Sequence, residues 1–330
     1  MKIRANGINI EVEDSAQRDP AFAGKPAVLL IMGLGLQLIA WPADLVQGLE
    51  AAGYRVIRFD NRDVGLSSRI EEAGKPNIFW ASLQHKFGFT PAAPYSLSDM
   101  AADALGVLDA LGVQKAHVVG MSMGGMIAQR VTLAAPERVL SLTSIMSSSS
   151  AKGLPGPAPE VLRAMLRRPS GTSKAEMVEH SLRLFQAIGS PAFPTPEDDL
   201  RARIARGVDR AMYPVGTLRQ MLAVVADGAR TALLPRITAP TLVIHGTADP
   251  LIPFACGEDT ARRIPGATLL PIEGMGHDLP TEPVRRILAA LRLCFAPARS
   301  KPRVSTAIMP TTARGSCRLR RRTPAMPCPF

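Results

Sequence analysis

The chain has 330 residues, of which 46% are hydrophobic and 20% charged, and its formal net charge is +11 at pH 7. Such a chain can bury a large core, but no apolar run approaches the length of a membrane span, which excludes a membrane-spanning protein. Polar residues come too early at the N-terminus for a signal peptide, and the four cysteines lack Cys-x-x-Cys or metal-ligand spacing. We therefore expect a cytoplasmic protein with free thiols, no metal site and no membrane partner.

The positive charge is concentrated at the C-terminal end. Residues 297–330 contain eight lysines and arginines and no acidic residue, and they are rich in Pro, Arg, Ser and Thr without periodicity. A segment of this composition cannot build a core. A basic tail can bind nucleic acid, but no aromatic residues alternate with these arginines as single-strand binding requires. The sequence predicts one domain over residues 1–296, a disordered tail after it, and no nucleic-acid partner.

The N-terminal third of the chain predicts the start of an α/β domain. Residues 1–13, with an Asn-Gly turn pair, indicate an antiparallel hairpin at one edge of a sheet. Apolar runs at residues 26–31 and 55–59 are typical of strands buried on both faces of a parallel sheet. Residues 98–111 have helical periodicity, and a capping-box pattern precedes them. Apolar strands alternating with helical segments favour an α/β fold.

The most informative motif is Gly-Met-Ser-Met-Gly at residues 120–124. An apolar strand at residues 115–119 precedes it, and a helical segment follows it until Pro136. Such a strand-to-helix bend exposes the serine hydroxyl, and the flanking glycines are needed because the bend has no room for a Cβ. Ser122 thus lies at the carboxyl end of a strand, where open α/β sheets bind ligands. A serine between glycines is also a common turn, so the motif needs supporting context.

Between residues 147 and 236 the strand pattern gives way to helical segments with several Pro and Gly. We predict that this segment forms a helical cap inserted into the α/β domain. We expect most of its apolar side chains to pack the cap on the core and a few to line a pocket. An apolar pocket favours a hydrophobic or aromatic acyl or alcohol group. These apolar residues are Met165, Leu182, Leu184, Phe185, Ile188, Phe193, Met212, Tyr213, Leu218, Met221 and Leu222.

Candidate partners for the serine follow in chain order. An apolar strand at residues 241–246 leads into a turn with Asp249, and a strand at residues 267–272 leads into a loop with His277. The strand before these ends in four serines and offers no carboxylate. A serine hydroxyl is a weak nucleophile until an imidazole takes its proton, and the imidazole needs an acid to fix its tautomer. We predict that Ser122, Asp249 and His277 form a catalytic triad at one edge of the sheet.

The other histidines are weaker candidates. His117 opens a buried strand, and we interpret it as a hydrogen-bonded core residue. His245 ends the strand before the candidate acid, and structural support is the favoured interpretation. His85 and His180 are expected at the surface or in a pocket wall. Asp278 directly follows the candidate histidine, so its side chain is expected to point away from the same partner.

Five motifs in order give the chain a family resemblance. They are the loop Met-Gly-Leu-Gly at 32–35, Asp-x-Arg-x-x-Gly-x-Ser at 60–67, the serine motif at 120–124, His-Gly-Thr-Ala-Asp-Pro at 245–250 and Gly-Met-Gly-His at 274–277. Together they resemble the α/β-hydrolase superfamily over the chain up to about residue 295. With Trp41-Pro42, the Met-Gly loop is most similar to the bacterial branch that includes the aclacinomycin methylesterases. The resemblance implies an α/β-hydrolase fold, with a mostly parallel central sheet flanked by helices and an inserted helical cap.

The resemblance also implies roles for individual residues. Ser122 is the expected nucleophile, His277 the general base and Asp249 the acid that orients it. The backbone amides of Met123 and Leu34 are the expected oxyanion hole, since this architecture takes one donor from the residue after the nucleophile and one from the loop after the third strand. Many relatives have His-Gly in that loop where this chain has Met-Gly, but a main-chain donor needs no particular side chain.

The sequence therefore predicts a serine hydrolase that cleaves a carboxylic ester, a methyl ester being one candidate, of a small hydrophobic substrate through an acyl-enzyme. No cofactor is expected, because the Gly-Leu-Gly of the first loop lacks the rest of a dinucleotide motif. One alternative is a cofactor-free haloperoxidase or perhydrolase. Another, from a different class, is a ligand-binding protein without catalysis on a hydrolase scaffold. The sequence leaves open whether the substrate is a methyl ester, a lactone, a thioester or a compound cleaved at a carbon–carbon bond, and whether the protein is a homo-oligomer.

Overall fold

The computed structural model describes residues 1–296 except 78–79, 82, 85–86, 88 and 168–170. The predictions for His85 and for the basic tail at 297–330 lie outside the described residues.

One mixed sheet forms the centre of the described chain. Its strands are arranged in the order β1-β2-β4-β3-β5-β6-β7-β8. The β1–β2 and β2–β4 pairs are antiparallel, and every other neighbouring pair is parallel. The mostly parallel α/β sheet predicted from the sequence is therefore confirmed. The strands are β1 Lys2–Ala5, β2 Ile8–Asp14, β3 Ala27–Ile31, β4 Arg55–Phe59, β5 Ala116–Met121, β6 Val139–Ile145, β7 Thr241–Gly246 and β8 Thr268–Ile272.

Helices cover both faces of the sheet, which explains the continuous apolar runs of its central strands. In β3, Leu29 and Ile31 belong to one core cluster, whereas Val28 and Leu30 belong to the other. Helices α3 and α4 contribute to the first cluster, and α2 and α10 contribute to the second. The helices are α1 Ser15–Arg18, α2 Ala43–Ala51, α3 Leu97–Ala110, α4 Met123–Ala134, α5 Pro159–Leu166, α6 Lys174–Ile188, α7 Glu197–Arg210, α8 Pro214–Asp227, α9 Phe254–Arg263 and α10 Thr281–Phe295.

Local signals in the first third of the sequence specify the structure there. Asn6 and Gly7 have φ of 47° and 80°, which a two-residue hairpin turn of this type requires. They join β1 to β2 at the edge of the sheet, as predicted. The capping box before α3 is also present, since the Ser96 side chain accepts from the Asp99 amide and the Asp99 side chain accepts from the Ser96 amide. These contacts fix where α3 begins.

Between β6 and β7 the described chain forms four helices, α5 to α8, and contains no strand. We call this segment the insertion. A fully buried arginine ties its C-terminal end to the body and to its own first residues. Arg230 Nε donates to Gln129 Oε1 on α4 at 2.9 Å, and Arg230 Nη2 donates to the carbonyl of Ser148, near the start of the insertion, at 2.6 Å. Arg230 also forms an ion pair with Asp227 and donates to Ser150 Oγ at 3.2 Å. Within the described part of the chain, no helix is both long and apolar enough to cross a membrane.

Candidate active site

Ser122 lies on a strained turn between β5 and α4. Its φ and ψ are 56° and −122°, a conformation that non-glycine residues rarely adopt, and its amide donates to the Ile145 carbonyl at 2.8 Å. Both flanking glycines are required for steric reasons. A Cβ on Gly120 would lie 2.0 Å from the Gly124 carbonyl oxygen, and a Cβ on Gly124 would lie 2.0 Å from the Ile31 carbonyl oxygen. The turn therefore packs so closely that neither flanking glycine can be replaced by a residue with a Cβ unless the backbone shifts.

Gly124→Ala is expected to destabilise the protein by about 3 kcal/mol, because the added methyl group overpacks against the backbone of β3. Gly24→Ala is the matched control, since a Cβ on Gly24 meets nothing within 4 Å. Urea unfolding measures both variants, and the control should remain within about 0.5 kcal/mol of wild type. Equal stability of the two variants would contradict the close approach at Gly124.

The structure brings the three predicted triad residues together. Ser122 Oγ lies 3.0 Å from His277 Nε2, and His277 Nδ1 lies 2.7 Å from Asp249 Oδ2. Each follows the end of its own parallel strand, at the same edge of the sheet. The His277 amide donates to the Ile188 carbonyl at 2.7 Å, and the Leu251 amide donates to Asp249 Oδ1 at 2.9 Å. These backbone contacts fix both loops, so the three side chains form one hydrogen-bonded chain.

The electrostatics at Asp249 favour an ionised carboxylate. Burial on its own raises the pKa of Asp249, but His277 and hydrogen bonds from neighbouring groups lower that pKa to about 2. His245 Nε2 lies 3.5 Å from Asp249 Oδ2, but its shorter hydrogen bond, 2.7 Å, is donated to the Ile252 carbonyl. An ionised Asp249 accepts the Nδ1 proton of His277, which leaves Nε2 free to accept the proton of Ser122.

The two predicted oxyanion donors line the same cleft as the serine and the histidine. Met123 is the first residue of α4, so its N–H has no acceptor within the helix. Leu34 follows Gly33, which passes so close to the serine that a Cβ on Gly33 would lie 3.1 Å from Ser122 Cβ. Their role as donors stays a prediction.

The cleft lies between the insertion and the carboxyl edge of the sheet. The expectation that most apolar side chains of the insertion only pack on the core is wrong. Nine of the eleven line the cleft, whereas Leu182 and Leu222 are buried away from it. Helical periodicity shows which face of a helix is apolar but not whether that face meets a core or a cleft. The nine are Met165, Leu184, Phe185, Ile188, Phe193, Met212, Tyr213, Leu218 and Met221.

The other described candidates lie outside the triad. His117 is buried, its Nδ1 shares a 2.8 Å hydrogen bond with Ser141 Oγ, and its ring stacks on Phe295, which confirms its interpretation as a core residue. His245 is completely buried in a supporting role, and His180 lies in the cleft wall. The Asp278 carboxylate accepts from the Ser190 hydroxyl rather than from His277.

His117 is expected to make the protein less stable in acid. Burial lowers the pKa of His117 to about 4 from 6.5, so between these values the unfolded chain binds a proton that the folded protein excludes. Stability therefore falls as the pH falls from 6.5 to 4, by about 3 kcal/mol in total. Urea unfolding across this range should show a loss of stability that is smaller by about this amount in His117→Asn than in wild type. If the free energy of unfolding depended on pH equally in His117→Asn and wild type, the lowered pKa of His117 would be contradicted.

Sequence reasoning missed a buried polar network that joins the loops after β3 and β4 to the insertion. Asp60 is fully buried and accepts from the Leu38 amide at 2.7 Å and from Arg210 Nη1 at 2.7 Å. Gln220, also fully buried, bridges the Gly35 amide and the Arg62 carbonyl. Glutamine and arginine on amphipathic helices are usually exposed, so no local pattern identifies such long-range contacts.

Comparison with known proteins identifies the fold family. A family model described as the α/β hydrolase fold matches residues 26–282. The chain belongs to the α/β-hydrolase fold family. The superfamily resemblance drawn from the motifs is thereby confirmed.

Individual known proteins also match this chain over most of its length. It is 35% identical to the rhodomycin D methylesterase DauP of Streptomyces sp. (strain C5), over 83% of this chain and 91% of that protein. It is 27% identical to the putative non-heme bromoperoxidase BpoC of Mycobacterium tuberculosis, over 82% of this chain and 91% of that protein. A solved structure is also similar, that of a mutant of the meta-cleavage product hydrolase CumD of Pseudomonas fluorescens IP01 complexed with acetates. Its TM-score is 0.68 at 20% identity, and the match covers 89% of this chain and 97% of that chain. This last similarity shows the fold alone.

Proposed function

We propose that the protein hydrolyses a carboxylic ester with Ser122 as nucleophile, His277 as general base and Asp249 as the acid that orients the histidine. The single observation that carries the proposal is the hydrogen-bonded chain from Ser122 Oγ through His277 to Asp249, with distances of 3.0 Å and 2.7 Å. The strained conformation of the serine supports the same role, because such strain at a cleft is typical of an activated nucleophile.

The reaction follows from the positions of the protons. Ser122 Oγ attacks the ester carbonyl while its proton passes to His277 Nε2, and the Leu34 and Met123 amides stabilise the oxyanion. Each such donor contributes on the order of 3 kcal/mol to lowering the barrier. The tetrahedral intermediate then expels the alcohol, which takes the proton from His277. A water molecule gives a proton to His277 and attacks the acyl-Ser122, and collapse releases the acid and restores the serine.

The substrate class follows from the cleft and from the methylesterase relative. The cleft wall includes, among other apolar side chains, the nine of the insertion named above, which favours a hydrophobic acyl group. Similarity to a rhodomycin D methylesterase over most of the chain favours a methyl ester. The products would be methanol and a hydrophobic carboxylic acid.

A pair of methyl esters tests this assignment. Methyl 2-naphthoate should be hydrolysed with a higher kcat/KM than methyl acetate, because its ring system buries apolar surface in the cleft. Ser148→Ala is the matched control variant for Ser122→Ala, since Ser148 also lines the cleft but makes no contact with His277 among the described hydrogen bonds. Hydrolysis that survives in Ser122→Ala, or a preference for methyl acetate, would contradict the assignment.

A haloperoxidase is the second candidate, because of the similarity to a putative bromoperoxidase. Here acetic acid would acylate Ser122 with loss of water, and hydrogen peroxide would attack the acyl group in place of water, which releases peracetic acid and the free serine. The peracetic acid would then oxidise bromide to hypobromite and return acetate. If the protein brominated a substrate only with both peroxide and acetate present, and the same preparation hydrolysed no ester, haloperoxidase would replace esterase as the proposed function.

A further inference from the structure

The loop that carries one predicted oxyanion donor is held by the insertion. We call residues 33–37 the oxyanion loop. Its Gly35 amide donates to Gln220 Oε1 at 2.8 Å, and Gln220 Nε2 donates to the Arg62 carbonyl at 2.7 Å. Gln220 lies on α8 and is fully buried. One side chain of the insertion therefore connects the loops that follow β3 and β4.

The far end of the oxyanion loop is held in the same way. Gln37 Nε2 donates to the Gly207 carbonyl at 2.6 Å and to the Ala211 carbonyl at 2.8 Å. Gln37 Oε1 accepts from Arg210 Nη1 at 2.6 Å, and Arg210 also forms an ion pair with the buried Asp60. The loop is thus bonded to the insertion at Gly35 and again at Gln37.

Packing leaves the middle of the loop little freedom. Gly35 has a φ of 67°, and a Cβ there would lie 2.8 Å from both Cγ2 and Oγ1 of Thr217 on α8. Because a peptide unit is planar, fixing the Gly35 N–H also fixes the Leu34 carbonyl, which leaves few rotations to reorient the Leu34 amide. Only the φ and ψ rotations of Leu34 therefore separate its amide from a peptide unit that α8 holds.

We propose that Gln220 is a positioning residue that aims the Leu34 amide at the oxyanion formed on attack by Ser122. The proposal rests on the proposed ester hydrolysis. The insertion then has two tasks, since the helices that line the cleft also assemble half of the oxyanion hole. Loss of Gln220 lowers the rate of the chemical step without weakening substrate binding, because the oxyanion exists only after attack.

Three substitutions of Gln220 test this role. Gln220→Met keeps the shape and removes the amide, Gln220→Asn keeps an amide too short to reach Gly35, and Gln220→Glu keeps an acceptor for the Gly35 amide. We expect Gln220→Met and Gln220→Asn to lower kcat by about 30- to 100-fold with KM within about threefold of wild type, as misplacement by about 1 Å does. Gln220→Glu should recover only part of this loss, because a carboxylate accepts from the Gly35 amide but cannot donate to the Arg62 carbonyl.

The control is Leu222→Ala, which removes buried apolar volume from the same helix at a residue that does not line the cleft. Leu222→Ala should lower thermal stability but leave unchanged the rate at which a small fluorophosphonate labels Ser122. In Gln220→Met and Gln220→Asn, this labelling rate should fall in parallel with kcat. A Gln220→Asn or Gln220→Met variant with kcat within about threefold of wild type, or a loss confined to KM, would overturn the positioning role alone. A folded wild-type protein in which Ser122 is not labelled would overturn ester hydrolysis as well.

Discussion

Ser122→Ala is expected to lower kcat for ester hydrolysis by about 10⁴- to 10⁶-fold, with little change in KM. The substitution removes the only atom that attacks the carbonyl in the proposed mechanism. It removes nothing that the rest of the cleft uses to bind substrate. The remaining rate over water would come from binding and the oxyanion donors. Steady-state kinetics with the preferred methyl ester measure the effect, and circular dichroism confirms that the variant is folded.

Ser148→Ala provides the comparison for this result. It removes a hydroxyl from the wall of the same cleft and should keep kcat within about threefold of wild type. If the two alanine variants lost activity to the same extent, the loss would reflect damage to the cleft rather than a missing nucleophile. Full activity in Ser122→Ala would exclude the acyl-enzyme mechanism.

Asp249→Asn is expected to lower kcat by about 10⁴-fold. The amide keeps the shape of the carboxylate but has no charge to stabilise the histidine cation, and its NH₂ group favours the tautomer in which Nε2 of His277 carries the proton. That proton points at Ser122 and prevents the histidine from acting as a base. Steady-state kinetics between about pH 5 and 9 test this, since the wild-type carboxylate, with a pKa of about 2, stays ionised throughout.

Asp278→Asn is the matched control for this substitution. Asp278 is the next residue after His277, but its carboxylate accepts from Ser190, and burial raises its pKa. We expect the kcat of the Asp278→Asn variant to stay within about tenfold of wild type. If Asp278→Asn lost as much activity as Asp249→Asn, the identity of the orienting acid would be wrong.

The parts of the site predicted from the sequence are those with a local signal. Ser122 is marked by steric demand, since its neighbours at 120 and 124 have no room for a Cβ. Asp249 and His277 are marked by position, because each follows a buried parallel strand and parallel strands end at a common edge. The hairpin at Asn6-Gly7 and the capping box before α3 are similarly local. In each case a few adjacent residues contain the whole physical reason.

The parts that sequence reasoning missed depend on contacts between distant segments. Gln220 bonds to a loop 185 residues earlier in the chain, and Arg210 bonds to Asp60 across 150 residues. Helix α7, with its acidic first turn and four arginines, has the composition of a solvent-exposed helix. On and after the next helix, Arg219 and Arg230 are buried, because each donates to one aspartate and one backbone carbonyl. Such pairing is visible only in three dimensions.

The central claim is that Ser122 is a nucleophile activated by His277, and labelling with a small fluorophosphonate followed by intact mass measurement tests it most directly. The expected result is a single adduct on the wild-type protein, mapped to Ser122, absent from Ser122→Ala and formed much more slowly by His277→Ala. An adduct that persists in Ser122→Ala would contradict the claim. The absence of any adduct on the folded wild-type protein would also contradict it, and would favour a ligand-binding protein on a hydrolase scaffold.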